Sequence, residues 1–232
     1  MSIDEIIIGC PAAGRSWILP AWKKAVDAAT IGLNVSYVFA VPKWDSECLD
    51  LVSGWASTHI LATDEAPRRD IRDWSNTDRY YHMSEIRNTV LKYVRQTKPS
   101  LFLSLDSDIL LARDALNDMT ETLVVNGADA VGGATFLDSV DPTVTNVAHL
   151  EDSGKFRRVI PGQHQIDIIM AVKLMNERAY NVDYEWHQYG EDFGWSIAAA
   201  KAGCKIFCDG RTPSKHVMGP EWLDRIDKRV GY

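Results

Sequence analysis

Leu101-Phe-Leu-Ser-Leu-Asp-Ser-Asp108 constrains this chain more than any other stretch: an apolar run without polar alternation that ends on two carboxylates one residue apart. A strand of that texture is buried on both faces, as in a parallel sheet covered by helices. Ser107 lets the chain turn, so Asp106 and Asp108 fall at the strand's carboxyl end, where open α/β sheets place their ligands. Two acids this close repel one another unless a cation shares them. They suit a hard divalent ion held by few protein ligands and several phosphate oxygens. The same spacing also suits an Asx turn with both acids solvated.

The segments around this strand alternate. Ile6 to Pro11 reads as a short buried strand, Val35 to Val41 is a second β-rich run, and between them Ile18, Ala21, Trp22, Ala25, Val26 and Ala29 recur at helical spacing. This order predicts a parallel pair joined by a right-handed crossover. Further on, the pattern predicts a helix over 49–55, a strand over 58–62, a helix capped by Ser84, a helix over 114–125 and a strand over 128–131. A buried strand over 166–174, a helix opening at Gly190-Glu191-Asp192 and a last short strand over 206–208 complete it. Gly132-Gly133 leaves room for close backbone approach. Asp64 to Tyr81, rich in arginine and aromatics (Arg68, Arg69, Arg72, Trp74, Arg79, Tyr80), reads as a surface loop able to fold over a ligand. Residues 135–165 are turn-rich, with a hairpin around Asp152-Ser-Gly-Lys.

Composition narrows the class. A chain of 232 residues with 46% hydrophobic residues can bury one large α/β core. A net charge of −7 argues against non-specific coating of nucleic acid, which needs clustered Lys and Arg. Cys10, Cys48, Cys204 and Cys208 lack zinc-site spacing and are expected to be reduced core thiols of a cytoplasmic protein. The acidic opening Met1-Ser-Ile-Asp-Glu runs straight into a strand, so no secretory leader is expected, and no apolar run is long enough to be read as a transmembrane segment.

Four pieces in order resemble the nucleotide-sugar-dependent glycosyltransferases of the GT-A fold: Ile6 to Arg15 as first strand and nucleotide loop, Arg87-Asn88 on the helix before the Asp-x-Asp motif, Leu105 to Asp108 as that motif, and Gly190-Glu191-Asp192 followed by His216. The resemblance implies one GT-A-like domain over 1–232. It implies a mostly parallel twisted central sheet flanked by helices, with a Rossmann-like nucleotide-sugar-binding half over 1–110 and an acceptor half over 111–232. It implies a metal-dependent transfer of a hexose or pentose to an acceptor hydroxyl, from a UDP-sugar first and a GDP-sugar second. Mn2+ or Mg2+ would be held by Asp108, with Asp106 on the ribose or a metal-bound water and His216 completing the shell. By the same resemblance Pro11 and Arg15 would line the nucleotide loop, Arg15 and Arg87 would pair with phosphates, Asn88 would stand beside them, and Asp45 would be assigned to the base. Asp192, with Glu191 second, would deprotonate the acceptor in an inverting mechanism. Trp186, Tyr189 and Trp195 flank the pair as platforms for sugar faces.

Alternatives remain open. Acids at the start of a helix are favoured by its dipole whether or not they catalyse anything. Retaining enzymes share the early motif, and the arginine-rich loop permits a hydroxylated base in DNA as acceptor beside a glycan, a protein or a lipid-linked sugar. A haloacid-dehalogenase-like phosphatase shares the Asp-x-Asp spacing but places it near its N-terminus. A nucleotidyltransferase would need a glycine-rich basic first loop. A non-catalytic nucleotide-binding scaffold would survive replacement of Asp192.

Overall fold

The computed structural model describes residues 4–64, 78–136, 144–159 and 162–224. The expected opening is present: β1 (Ile6–Pro11) and β2 (Val35–Pro42) pair in parallel, Ile6 opposite Val35, across α1 (Leu19–Ala29). α2 (Ser46–Ser53) begins three residues earlier than predicted because the side chain of Asp45 caps it, accepting from the Cys48 N–H. β3 (Thr58–Thr63) pairs in parallel with β2, and α3 (Asp78–Thr97) leads into β4 (Leu101–Leu105), parallel to β1. Ser84 does not cap α3. The helix starts at Asp78, and the Ser84 hydroxyl donates to the Tyr80 carbonyl inside it. Arg79, Tyr80 and Tyr81 are therefore helical, whereas Arg68, Arg69, Arg72 and Trp74 lie outside the described residues.

The second half continues with β5 (Ile109–Leu110), α4 (Ala115–Asn126), β6 (Ala130–Thr135), β7 (Val147–Leu150), β8 (Phe156–Arg158), β9 (His164–Gln165), β10 (Ile168–Ile169) and β11 (Val172–Met175). A single turn, α5 (Glu177–Tyr180), then α6 (Glu191–Lys201) and β12 (Ile206–His216) close the described chain, apart from a short 3-10 turn at Pro220–Trp222. The strand predicted over 166–174 breaks in two at Ala171, whose φ is +64°. β12 runs on past the predicted stop to His216, with a register shift between Asp209 and Ser214. The predicted hairpin is β7–β8, turning through Gly154 at φ +78°.

The strand order in the main sheet is β3-β2-β1-β4-β11-β6-β12-β5, with β9 also paired to β12. Its long strands run one way except β11, which lies antiparallel between β4 and β6 and makes the sheet mixed. A small antiparallel sheet, β10-β7-β8, sits beside it. Apolar side chains cover both faces: Trp22, Phe39, Leu103 and Met119 belong to one cluster, Phe102, Val90, Tyr180 and Trp195 to the other. Room at Gly132 and Gly133 is taken by these clusters, since a Cβ there would fall 2.5 Å from Ile169 Cγ2 and 2.9 Å from Met119 Sδ. All four cysteines are free and buried. Among the described residues no helix is long and apolar enough to cross a membrane.

Candidate active site

The chain leaves the sheet at Asp106, and backbone contacts fix how it does so. The Asp106 N–H donates to the Ala171 carbonyl (3.0 Å), and its own carbonyl accepts from the Ile109 N–H (3.2 Å) and from the Trp22 indole (3.1 Å). β5 then pairs with the end of β12, placing His216 opposite Ile109, while the Val217 N–H donates to the Asp108 carbonyl (2.8 Å). This ladder brings His216 Nε2 to 3.7 Å from Asp108 Oδ2, and Arg15 Nη2 donates to the same oxygen at 3.0 Å. Burial pushes the Asp108 carboxyl up, but His216 and Arg15 outweigh it and the net direction is down.

Asp106 points elsewhere. Its Oδ1 accepts from Arg87 Nη2 at 2.6 Å, and burial, only partly offset by Arg87, raises its pKa. The remaining arms of Arg87 donate to Ser104 Oγ (Nη1, 3.2 Å) and to Glu191 Oε1 (Nε, 3.0 Å). Arg87, expected on a phosphate, is thus 4% exposed and engaged on every arm. Burial disfavours its charge; Asp106, Asp192 and Glu191 outweigh that and raise its pKa. A small cavity lies beside it, lined by Gly9, Pro11, Val90, Phe102, Ser104 and Tyr184.

The acidic pair opens α6. Gly190, at φ +122°, makes the entry, and both acids lie in the first turn, where the helix dipole favours negative charge. Asp192 Oδ2 accepts from the Ala171 N–H (3.0 Å) and Oδ1 accepts from Lys173 Nζ. The left-handed Ala171 therefore links Asp106 to Asp192 through its two backbone polar groups. Burial pushes Asp192 up, and Lys173 with Arg87 pulls it lower. Glu191 is raised, first by burial and then by Asp192. Lys173 is fully buried, its ammonium 4.9 Å from the Tyr184 ring centroid. Sequence reading missed it, although a lone lysine in an apolar strand is a signal, because a buried charge requires a partner.

Other expected residues serve the scaffold here. Both polar atoms of Asn88 bind the Tyr184 backbone, Oδ1 from its N–H (2.7 Å) and Nδ2 to its carbonyl (2.9 Å), which positions Tyr184. Asp45 sits at the carboxyl end of β2, accepting from the Gly14 N–H (2.6 Å) as well as capping α2. Pro11 ends β1 at the rim of the cavity. Trp186 and Tyr189 are exposed near the acidic pair, but Trp195 is wholly buried and offers no platform.

The expected metal set of Asp106, Asp108 and His216 does not gather. Among the described residues no three His, Cys, Asp or Glu side chains are arranged to hold a metal ion, since Asp106 is turned to Arg87. Asp108 and His216 remain. Their 3.7 Å separation is long for a hydrogen bond and within the span of two ligands each about 2.1 Å from one ion. One carboxylate and one imidazole, completed by phosphate oxygens and water, fit a hard divalent cation.

No family model matches the sequence, and no curated protein does. Solved structures do match in fold. S. aureus TarS 1-349 in complex with UDP-GlcNAc aligns with 98% of this chain at 10% identity and a TM-score of 0.61. The same protein in complex with UDP aligns with 94% at 10% identity and 0.57, and S. aureus TarS with 94% at 9% identity and 0.59. The chain spans 61% of the length of TarS 1-349 and 37% of TarS. At these identities the likeness is one of fold: a single α/β domain with a mostly parallel, mixed central sheet flanked by helices.

Proposed function

We propose that the chain is a glycosyltransferase that moves a sugar from a nucleotide-diphosphate sugar, UDP first, to an acceptor hydroxyl. The observation that carries this reading is the turn Asp106–Asp108 at the carboxyl end of β4: Asp108 holds Arg15 and stands 3.7 Å from His216, while Asp106 is joined through Arg87 to Glu191 and through Ala171 to Asp192. A fold shared with TarS in complex with UDP-GlcNAc supports it. In this reading residues 1–110 form the donor half and 111–232 the acceptor half. The four free, buried thiols support a reducing, cytoplasmic location.

Asp108 and His216 would hold Mn2+ or Mg2+, which supplies positive charge to the departing diphosphate. Arg15, 23% exposed and on a loop at the carboxyl end of β1, supplies a forked donor for the same phosphates. Arg87 holds Asp106 and Glu191 in place from below. Asp192, kept ionised by Lys173 and Arg87, accepts the proton of the acceptor hydroxyl as it attacks from the face opposite the diphosphate, which inverts the anomeric centre. Glu191 is the second reading for the base, favoured because both oxygens of Asp192 are engaged while only Oε1 of Glu191 is drawn into an ion pair.

Thermal unfolding with nucleoside diphosphates and their sugars, with and without Mn2+, tests the reading. UDP at a hundred times its Kd adds about 2.7 kcal/mol of stability, and the gain should require the metal and vanish in Asp108→Ala. A cooperative melt that no nucleotide shifts would remove the proposal.

A further inference from the structure

Asp108 Oδ2 has two nitrogen neighbours, Arg15 Nη2 at 3.0 Å and His216 Nε2 at 3.7 Å. The side chains of Arg15, Asp108 and His216 are 23, 16 and 13% exposed, so solvent screens their interaction weakly. The backbone around each is fixed by bonds that do not involve the ion pair. The Gly14 N–H is tied to Asp45 at 2.6 Å, and the Arg15 carbonyl accepts from the N–H groups of Ile18 and Leu19 at 3.0 and 3.1 Å as α1 begins. Asp108 and His216 are set by the β5–β12 ladder. With the backbone held, the freedom left at this corner is that of the side chains, and Arg15 has the longest of them.

We infer that Arg15 is the counter-ion of Asp108, and that a divalent cation binding at Asp108 and His216 has to displace it. A guanidinium and a divalent ion at one carboxylate oxygen repel each other, so the ion alone binds against the Arg15 contact. A nucleoside diphosphate removes that conflict. Its oxygens coordinate the ion and receive the released guanidinium, which pairs with phosphate as a fork. Metal and diphosphate therefore bind as a coupled pair, each tightening the other by the same factor. The purpose of the exchange rests on the donor reading above; its test rests on Asp108 alone.

Mn2+ is titrated in the absence of nucleotide, with the free ion followed by electron paramagnetic resonance, for wild type, Arg15→Met, Arg15→Lys and Asp108→Asn. Arg15→Met is expected to bind Mn2+ at least about fivefold more tightly than wild type, the lower end of ordinary coupling between two ligands. Arg15→Lys, which keeps the charge, stays near wild type, and Asp108→Asn loses the site. Equal or weaker binding by Arg15→Met, or no Mn2+ bound by it, overturns the inference. UDP binding to the same proteins is measured separately. Its complete absence would strike the donor reading, while the titration without nucleotide still decides this one.

Discussion

Arg87 Nε and Glu191 Oε1 meet at 3.0 Å although the residues are 104 positions apart, and the same guanidinium reaches Asp106 Oδ1 at 2.6 Å. One buried cation thus fastens the end of β4 to the first turn of α6. Among the described residues, Asp106, Glu191 and Asp192 together face two buried cations, Arg87 and Lys173. The cluster stands on each cation staying in place, because an unpaired buried charge is far more costly than the pair is favourable.

Arg87→Met leaves Asp106 and Glu191 without their shared partner and should reduce unfolding stability by about 3–5 kcal/mol. Arg87→Lys should recover only part of that, since an ammonium cannot reach Asp106, Ser104 and Glu191 as the fork does. Urea unfolding of both variants is the measurement. Wild-type stability in either would mean that the bridge contributes little.

Lys173 and Asp192 form the second joint. Lys173→Met strands a buried carboxylate and Asp192→Asn strands a buried ammonium, each at about 3 kcal/mol. The double variant removes both charges, so its loss should fall short of the sum by more than about 1 kcal/mol. Additive losses in a double-mutant cycle would show that the two do not interact.

Gly194 is where α6 comes against the preceding loop. A Cβ there would lie 1.9 Å from the Glu185 carbonyl oxygen, a backbone atom that cannot swing aside. Gly194→Ala should destabilise by about 3 kcal/mol, the upper part of the overpacking range, and move the turn that presents Glu191 and Asp192. Thermal melting beside the wild type tests it, and an unchanged Tm would mean that the loop gives way freely.

Much of this was legible in sequence because it depends on local chemistry. The apolar run into Asp106 marked the buried strand, helical spacing from Ile18 to Ala29 marked α1, and acids after Gly190 marked the start of α6. What was missed depends on contacts between distant segments. Nothing local states that β11 enters the sheet antiparallel, or that Ala171 takes a left-handed turn so that its two backbone groups can serve Asp106 and Asp192. Arg87 and Asn88 were placed on the helix before the Asp-x-Asp motif, but their partners, Glu191 and Tyr184, lie about a hundred residues away and could not be read from spacing. The length of β12 was missed because Gly210 and Pro213 interrupt its pattern, and the strand tolerates them through a register shift.

The two acids of α6 are distinguished by pH. A general base acts only when deprotonated, so turnover falls as acid carries the pH down through its folded pKa. Asp192 is lowered by Lys173 and Arg87 against the effect of burial, whereas Glu191 is raised by burial and by Asp192. With Asp192 as base, the acid limb of kcat/KM for a UDP-sugar should lie below the ordinary aspartate value of about 3.9; with Glu191 it should lie above the ordinary glutamate value of about 4.3. The first is the expected outcome, together with a loss of about 10²–10⁴-fold in Asp192→Asn and retained UDP binding. Steady-state rates across pH for wild type, Asp192→Asn and Glu191→Gln decide it. Activity that survives in Asp192→Asn and disappears in Glu191→Gln, with a raised acid limb in the wild type, would transfer the proton to Glu191. Lys173 would then be left as the partner that keeps Asp192 in place beside it.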